Sequence, residues 1–397
     1  HYYIKGKDYK NLNNDLTKQI LIEKKTAEQY GGKIIFTRSE LHSSSSIANN
    51  VFDYINDDVK KILKKINKKK FEQNLLKLTH NKLKERILII GDPIIDILRF
   101  VEASGKSNKS NNISTKYLKE ERNAGGVLLV AKFLNLFFKN ITLLFCGEYK
   151  NLNTIKKYLN KDIKITHIKT KNKLIKKIRY VDEYSKQRLF QNNLNENNKF
   201  STLEEKKVIN KINKLKEYYD EVLLFDYGYV YSNDGMVKFI KCLSKKLTIN
   251  CQSNSYNFGY NLADKFKSGK IISMDEPEFR LIAKNKEDKI EKLIQIQKKL
   301  FKNFTYLIVT QGKKGCFLKR KGKTIHVPSV INSSIDSTGS GDIFLSMFFT
   351  FKISQKFSDY EALLGSHVAA GLHANQIGNR FQLSVNEIYK IIISILK

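Results

Sequence analysis

The chain predicts an α/β protein: a largely parallel central sheet flanked by helices, with a small β lid, spanning Glu85–Lys397. Three observations predict it. Continuous apolar runs recur, as strands buried on both faces require. Helical patterns fill the gaps between them, which favours parallel pairing. Two stretches alternate polar and apolar residues instead, and these read as the lid.

The elements follow in order. Lys33–Phe36 reads as a strand after the Gly31-Gly32 turn, and Ile47–Ile55 as a helix. Asp57–Lys84 is lysine-rich, with Val59, Ile62, Leu63 and Ile66 near helical spacing, and is expected to be an exposed linker helix. Arg86–Ile90 is a buried parallel strand ending in Gly91. Similar runs are Ile141–Phe145, Val222–Phe225, Leu247–Asn250, Lys270–Ser273 and Tyr306–Thr310. Thr202–Tyr219 and Lys286–Lys302 read as helices, and Ile97–Asn123 with Leu174–Gln191 as a small antiparallel lid. The expected organisation is an N-terminal piece over 1–56, a basic linker over 57–84 and the main domain over 85–397.

Composition narrows the function. The 397 residues carry 72 Lys plus Arg against 39 acids, a formal charge of +33. The lysines are spread along the chain, and no zinc-finger, RNP or basic-zipper spacing occurs, so nucleic acid is not the expected partner. Such a surface does attract phosphorylated substrates. Cys146, Cys242, Cys251 and Cys316 form no CxxC pair, and the histidines form no HExxH, which argues against zinc and for inert thiols in a reducing cytosol. The apolar stretch Val127–Phe145 is broken by Lys132, Asn135, Lys139 and Asn140 and reads as a buried helix and strand rather than a membrane span. A cytoplasmic protein without membrane contact is expected. The first residue is His1, which suggests a chain that starts partway through a longer product.

The strongest chemical signal is Asp336-Ser337-Thr338-Gly339-Ser340-Gly341-Asp342, leading into the apolar helical stretch Ile343–Phe351. Small residues let backbone N–H groups converge on an anion at a helix N-terminus. Asp342 in the first turn would accept a proton from an alcohol attacking a phosphoryl group, while the amides of Gly339, Ser340, Gly341 and Asp342 stabilise the transferred phosphate. The plainer reading is a Gly-Ser turn with a capping Asp.

This segment resembles the C-terminal signature D-T-x-G-A-G-D of ribokinase-like (PfkB) carbohydrate kinases, with Ser340 in place of Ala and Met347 where a small residue is common. Ala369-Ala370-Gly371 resembles that family's small-residue helix near the adenine site. Other stretches agree in order. Gly91-Asp92-Pro93-Ile94-Ile95-Asp96 resembles the G-D-x-x-x-D opening, and Asn123-Ala124-Gly125-Gly126 the G-G element that lets substrate approach the backbone. Asp226-Tyr227-Gly228 resembles the S-D-Y-x-K-G stretch of heptose-phosphate kinases without its Lys. Asp275-Glu276-Pro277-Glu278 stands where the family has N-x-x-E, and Thr310-Gln311-Gly312-Lys313-Lys314-Gly315 resembles its T-x-G-x-x-G nucleotide loop.

The resemblance implies ATP and Mg2+ as cofactors and roles for each position. Asp342 would be the base; Asp92, Asp96, Gly125, Gly126 and Asp226 would meet the sugar. Thr310, Gly312, Gly315, Asp336 and Thr338 would meet the nucleotide, and Glu278 would organise magnesium through water. A homodimer through the lids follows by analogy. Two departures bear on substrate. Leu129 replaces the Asn that usually follows the G-G element, and Asn250–Asn254 replaces an Asp-Pro-Lys type of segment. They motivate one alternative, a catalytically weak binding or scaffold protein; a nucleoside kinase on the same fold is a further one.

Upstream, Tyr3–Tyr9, Gly31–Phe36 and the Ser43–Ile47 turn resemble the C-terminal half of a cytidylyltransferase-like domain. Its H-x-G-H motif is absent, so nucleotidyl transfer is not expected from this piece. Together with Asp226-Tyr227, this fusion favours the heptose-phosphate branch.

Overall fold

The computed structural model describes residues 2–5, 19–36, 57–106, 109–231, 234–255, 257–331 and 334–397. At the N-terminus, β1 (Tyr2–Lys5), α1 (Gln19–Gln29) and β2 (Lys33–Phe36) form a small βαβ unit with the strands parallel. The expected helix Ile47–Ile55 and the Ser43–Ile47 turn lie outside the described residues.

Residues 57–80 fold as α2 (Asp57–Leu63) and α3 (Lys68–His80). The helical spacing is as expected, but the exposure is not. Val59, Ile62, Leu63, Ile66, Phe71, Leu75 and Leu78 are buried in the main core. Phe71 stacks edge-on against Phe357 at 5.7 Å between ring centres, and Asn74 Nδ2 donates to Lys356 O at 2.9 Å. The lysines occupy the outer faces, where their long stems leave the charge in water.

The main sheet begins with β3 (Leu83–Gly91). The chain then rises into β4 (Pro93–Lys106) and β5 (Ile113–Gly126), crosses α4 (Val127–Leu134), and returns as β6 (Phe138–Gly147). It continues through α5 (Lys150–Tyr158), β7 (Lys164–Lys169), β8 (Ile175–Asp182), β9 (Arg188–Leu194) and α6 (Thr202–Leu215) to β10 (Glu221–Asp226). After α7 (Asp234–Ile240) come β11 (Leu247–Cys251), β12 (Gly269–Asp275), α8 (Glu276–Ala283), α9 (Ile290–Ile296), β13 (Phe304–Thr310), β14 (Cys316–Arg320) and β15 (Lys323–Val327). Then α10 (Ser340–Ser354), α11 (Asp359–Ala374) and α12 (Val385–Leu396) close the chain. The order is β15-β14-β13-β12-β11-β10-β3-β6-β7, parallel from β13 to β7 and antiparallel at β14 and β15. Every residue of β10 and β11 is buried, as central strands covered on both faces must be.

Two expected helices are shorter than their patterns. The first stops at Leu215, and Lys286–Lys302 resolves into α9 followed by a 3-10 turn at Gln297–Lys299. The lid has the order β5-β4-β8-β9 and is mixed rather than antiparallel. Two hairpins, β4–β5 and β8–β9, are joined by a parallel β4–β8 seam. Leu98, Phe100 and Val181 give it a small core of its own, against which Ile377 packs.

Candidate active site

Parallel strands deliver their C-terminal ends to one edge of the sheet, where ligands bind in open α/β folds. Gly91, Asp226, Cys251, Asp275 and Thr310 end their strands there. The chain between β15 and α10 brings the glycine turn to the same edge. Gly339 takes φ 75° to enter α10, and a Cβ on it would meet Leu129 Cδ2 at 2.6 Å, so a side chain is excluded on both counts. Asp336 holds the turn from below. It accepts from Thr338 N at 2.9 Å, Thr338 Oγ1 at 2.8 Å and Gly378 N at 2.8 Å. Burial pushes its carboxyl up, but these donors and the Arg188 guanidinium outweigh that and keep it low. Asp336 and Thr338 therefore shape the turn. The amides of Gly341 and Asp342 have no partner among the described residues, leaving two N–H donors unengaged at the helix N-terminus, where an anion is favoured.

Asp342 is 4% exposed, and three neutral donors hold it. Tyr227 Oη donates to Oδ2 at 3.1 Å, while Asn250 Nδ2 at 2.7 Å and Gln252 Nε2 at 3.0 Å donate to Oδ1. Burial pushes its carboxyl up to about 7, with the hydrogen bonds from Tyr227 and Asn250 and the Lys177 charge pulling the other way. Burial, then the Asp342 charge, pushes the Tyr227 phenol far up, so Tyr227 stays a donor. The Asn250–Asn254 segment thus acts on the carboxylate itself. Asn250 is the penultimate residue of β11 and Gln252 follows the strand, a placement visible only once the sheet order is known.

Beside the turn lies a cavity of about 270 Å³, lined by Gly312, Lys313, Ser337, Ser340, His367 and Gly371 among others. Ser340 Oγ and His367 Nε2 are buried there without a partner, which suits a ligand carrying both donors and acceptors. Burial pushes the His367 imidazole down to about 4, so it is neutral. Ala370 and Gly371 line the cavity too, in keeping with a small-residue wall for a flat ring. Thr310 and Gly315 are not among its lining residues. Thr310 Oγ1 reaches only Met274 O, at 3.5 Å, and Gly315, at φ 106°, backs onto Val327 and Pro328.

The sugar-side residues divide. Asp96 is buried, and its carboxylate is taken by Arg179 of the lid and Asn379 of the loop after α11. A Cβ on Gly125 would strike that carboxylate, and Gly126, at φ 55°, turns the chain tightly past the Asp92 carbonyl. Asp92 is buried, and burial followed by the charge of neighbouring Asp226 raises its carboxyl. Asp226 is fully buried and internally satisfied, by Lys265, by Gly228 N at 2.9 Å and by Cys251 Sγ. It fastens the loop rather than facing the cleft. Glu278 is similarly occupied: Ser253 N donates to Oε1 at 2.7 Å and Asp275 N to Oε2 at 2.9 Å, in a capping box at the start of α8. Burial, then the Asp275 charge, raises its carboxyl to about 8. Among the described residues no three His, Cys, Asp or Glu side chains converge on a point that would hold a cation. Protein ligands alone do not make a Mg2+ site here. Arg179, Asn379, Arg188 and His367 had no sequence signal, since each acts across long chain separations.

A larger cavity, about 850 Å³, opens at the other end of the strands around Lys245, Lys270, Arg320 and Lys352. Lys270 pairs with Glu221, and Arg320 and Lys352 with Asp359, so its charge is largely internal.

Residues 84–378 match the pfkB family of carbohydrate kinases. The chain belongs to that family. It is 24% identical over 306 residues to "Bifunctional protein HldE" of Nitratiruptor sp., covering 75% of this chain and 63% of that relative. It therefore spans less than two thirds of that protein. Solved structures share the fold at low identity. Ribokinase of Thermotoga maritima superposes with a TM-score of 0.59 at 17% identity, covering 78% of this chain and 99% of that one. Phosphofructokinase-2 of Escherichia coli gives 0.62 at 13%, covering 79% and 100%. The ribokinase-like fold, with a mostly parallel sheet between helices, is thus shared. Such kinases transfer phosphate to an alcohol, and membership implies use of ATP. No helix among the described residues is long and apolar enough to cross a membrane.

Proposed function

We propose that this chain phosphorylates a hydroxyl of a sugar or sugar phosphate with ATP, and that Asp342 is the base. The observation that carries this is the juxtaposition of one buried carboxylate with two unengaged helix-terminal amides at the C-terminal edge of the sheet. The acceptor hydroxyl would sit between Asp342 Oδ2 and the γ-phosphate. Asp342 takes its proton as the oxygen bonds to phosphorus and the bond to the ADP oxygen breaks. A carboxyl near 7 is well matched to that transfer at neutral pH. The amides of Gly341 and Asp342 meet the charge on the transferred group. Mg2+ would supply charge neutralisation on the β- and γ-phosphates and, held chiefly by those phosphates and water, would need few protein ligands.

The heptose-phosphate branch is favoured by Asp226-Tyr227-Gly228 and by the HldE relatives. The β1-α1-β2 unit is read as the C-terminal part of a cytidylyltransferase-like domain, without nucleotidyl transfer. The test is ATP consumption by the full chain against heptose phosphates, other sugar phosphates, free sugars and nucleosides. Turnover of a sugar or sugar phosphate is expected. Preference for a nucleoside, or sugar binding with no turnover anywhere, overturns the reading; the second outcome is the one a scaffold predicts.

A further inference from the structure

Thr338 is the last residue before the left-handed step at Gly339, and all its polar groups are held. Its N–H and hydroxyl go to Asp336. Its carbonyl goes to His373 in the last turn of α11, whose Nε2 lies 3.1 Å from Thr338 O. The same nitrogen lies 3.3 Å from Asn379 Oδ1, and Asn379 in turn donates through Nδ2 to Asp96. A chain of hydrogen bonds thus runs from the lid carboxylate to the glycine turn, with Asp96, Asn379 and His373 all buried.

This chain fixes the proton on His373. Both neighbours of Nε2 are acceptors, the carbonyl by nature and Asn379 Oδ1 because Nδ2 is committed to Asp96. Nε2 therefore carries the hydrogen. Nδ1 is buried without a partner, so a second proton there would find no acceptor. Burial also pushes the imidazole down, against the bonds to Asn379 and Thr338. His373 is a neutral donor aimed at one peptide carbonyl.

In a trans peptide the C=O and N–H point to opposite sides. Holding the Thr338 carbonyl toward α11 turns the Gly339 N–H away from it. Gly339 N has no partner among the described residues, whereas Ser340 N is spent on Ser337 O at 3.1 Å. At φ 75° and ψ −3°, Gly339 precedes a right-handed helical residue, a combination that curls neighbouring N–H groups toward one concave side. A Cβ on Gly339 would come within 2.5 Å of Asn379 Oδ1 and 3.2 Å of His373 Nε2, so both side chains pack directly against the turn.

We infer that His373 is a positioning residue for phosphoryl transfer: by holding the Thr338 carbonyl it presents the Gly339 N–H to the transferred phosphate, beside those of Gly341 and Asp342. Asn379 braces His373 and ties the turn to Asp96. This rests on the kinase reading above and adds to it the side chains that aim the amides. The benefit grows as charge builds on the group in transit, so it falls on the rate and not on nucleotide binding.

The experiment compares wild type, His373→Gln and His373→Met as full chains, with a melting temperature for each. Gln carries a side-chain N–H at similar reach, and Met fills the space without a donor. If the Met chain does not fold, His373→Asn takes its place, polar but too short to reach the carbonyl. The constants measured are kcat and KM for ATP, with the best acceptor of the panel above, and inhibition by ADP and by ADP with aluminium fluoride, a mimic of the phosphoryl group in transit. In His373→Met, kcat should fall roughly 10- to 100-fold, with KM for ATP and inhibition by ADP within about threefold of wild type. The aluminium fluoride complex should weaken by as much as kcat falls, and His373→Gln should recover most of the rate. A lower melting temperature with unchanged kcat overturns the inference and leaves His373 a core histidine. Equal weakening of ADP and of its aluminium fluoride complex, or a Gln variant no faster than Met, overturns it too. In each of these cases wild-type turnover keeps the kinase reading intact. Absence of wild-type turnover with every acceptor overturns both.

Discussion

The turn Asp336–Asp342 takes most of its geometry from seven consecutive residues, whereas the facing wall is assembled from β4, β5, β8, β9 and the loop at Asn379. The first wall is closed by local hydrogen bonds, Thr338 N and Oγ1 to Asp336, and by the start of a helix. The second is closed by contacts between residues up to 283 positions apart. The difference teaches which wall carries chemistry and which carries order. The turn leaves amides and a hydroxyl unengaged, while the lid-side carboxylate Asp96 is fully committed to Arg179 and Asn379.

Stability should therefore depend on the lid wall more than on the turn. Asp96→Ala leaves Arg179, whose side chain is 6% exposed, as a buried charge without its partner. A loss of about 3–5 kcal/mol is expected from removing one member of a buried pair, read by chemical denaturation. An unchanged midpoint would show that the two walls do not differ in this way.

Asp342→Asn tests the other wall and should lower the rate without lowering stability. At least about a 10²-fold fall in kcat is expected for loss of a general base, measured by coupled ADP release. Stability should move the opposite way. Burial pushes the folded carboxyl up to about 7, against 3.8 for a free aspartate. Between those values the folded chain holds a proton that the unfolded chain releases, so this group's contribution falls as pH rises through the window. Asn cannot ionise and still accepts a hydrogen bond. The variant should melt no lower than wild type at pH 8, and a clearly lower melting temperature would break the division of labour.

Legibility followed the same line. Six apolar runs gave six strands of the main sheet, because a strand buried on both faces records its environment in its own residues. The turn and the all-round apolar α10 were legible for the same reason, with Ile343–Phe351 buried throughout. The parallel β4–β8 seam was not, because pairing of distant segments leaves no local trace. Nor was the docking of α2 and α3, where lysines on the outer face masked a buried stripe running from Val59 to Leu78. Asp226 and Glu278 were read as ligand-facing carboxylates, yet backbone amides satisfy each of them. A carboxylate at the end of a strand or in the first turn of a helix looks alike in sequence whether it caps nearby backbone or faces a cleft. Asn250 and Gln252 show the converse, ordinary amides whose importance comes only from where β11 delivers them.

Tyr227→Phe probes how far the buried donors tune the base. The Tyr227 hydrogen bond holds the Asp342 carboxyl down, so its loss should raise that carboxyl further. Because the deprotonated form is the active one, the acidic limb of kcat should move to higher pH. About a tenfold loss below neutrality is expected, shrinking at pH 9. A uniform loss across pH would mean that Tyr227 positions Asp342 without tuning it.

The smallest effect should come from an exposed bridge between the walls. Arg188 reaches from β9 to Asp336 and donates to Thr338 Oγ1 at 2.6 Å, yet its side chain is 40% exposed. Water competes for an ion pair so placed, which limits it to roughly 0–1 kcal/mol. Arg188→Ala should leave the melting temperature nearly unchanged and alter KM by no more than about fivefold, with faster hydrogen exchange confined to β8 and β9. If instead kcat collapsed as in Asp342→Asn, the lid would be supplying a charge to the reaction itself, and the separation of an ordering wall from a chemical one would fail at this residue.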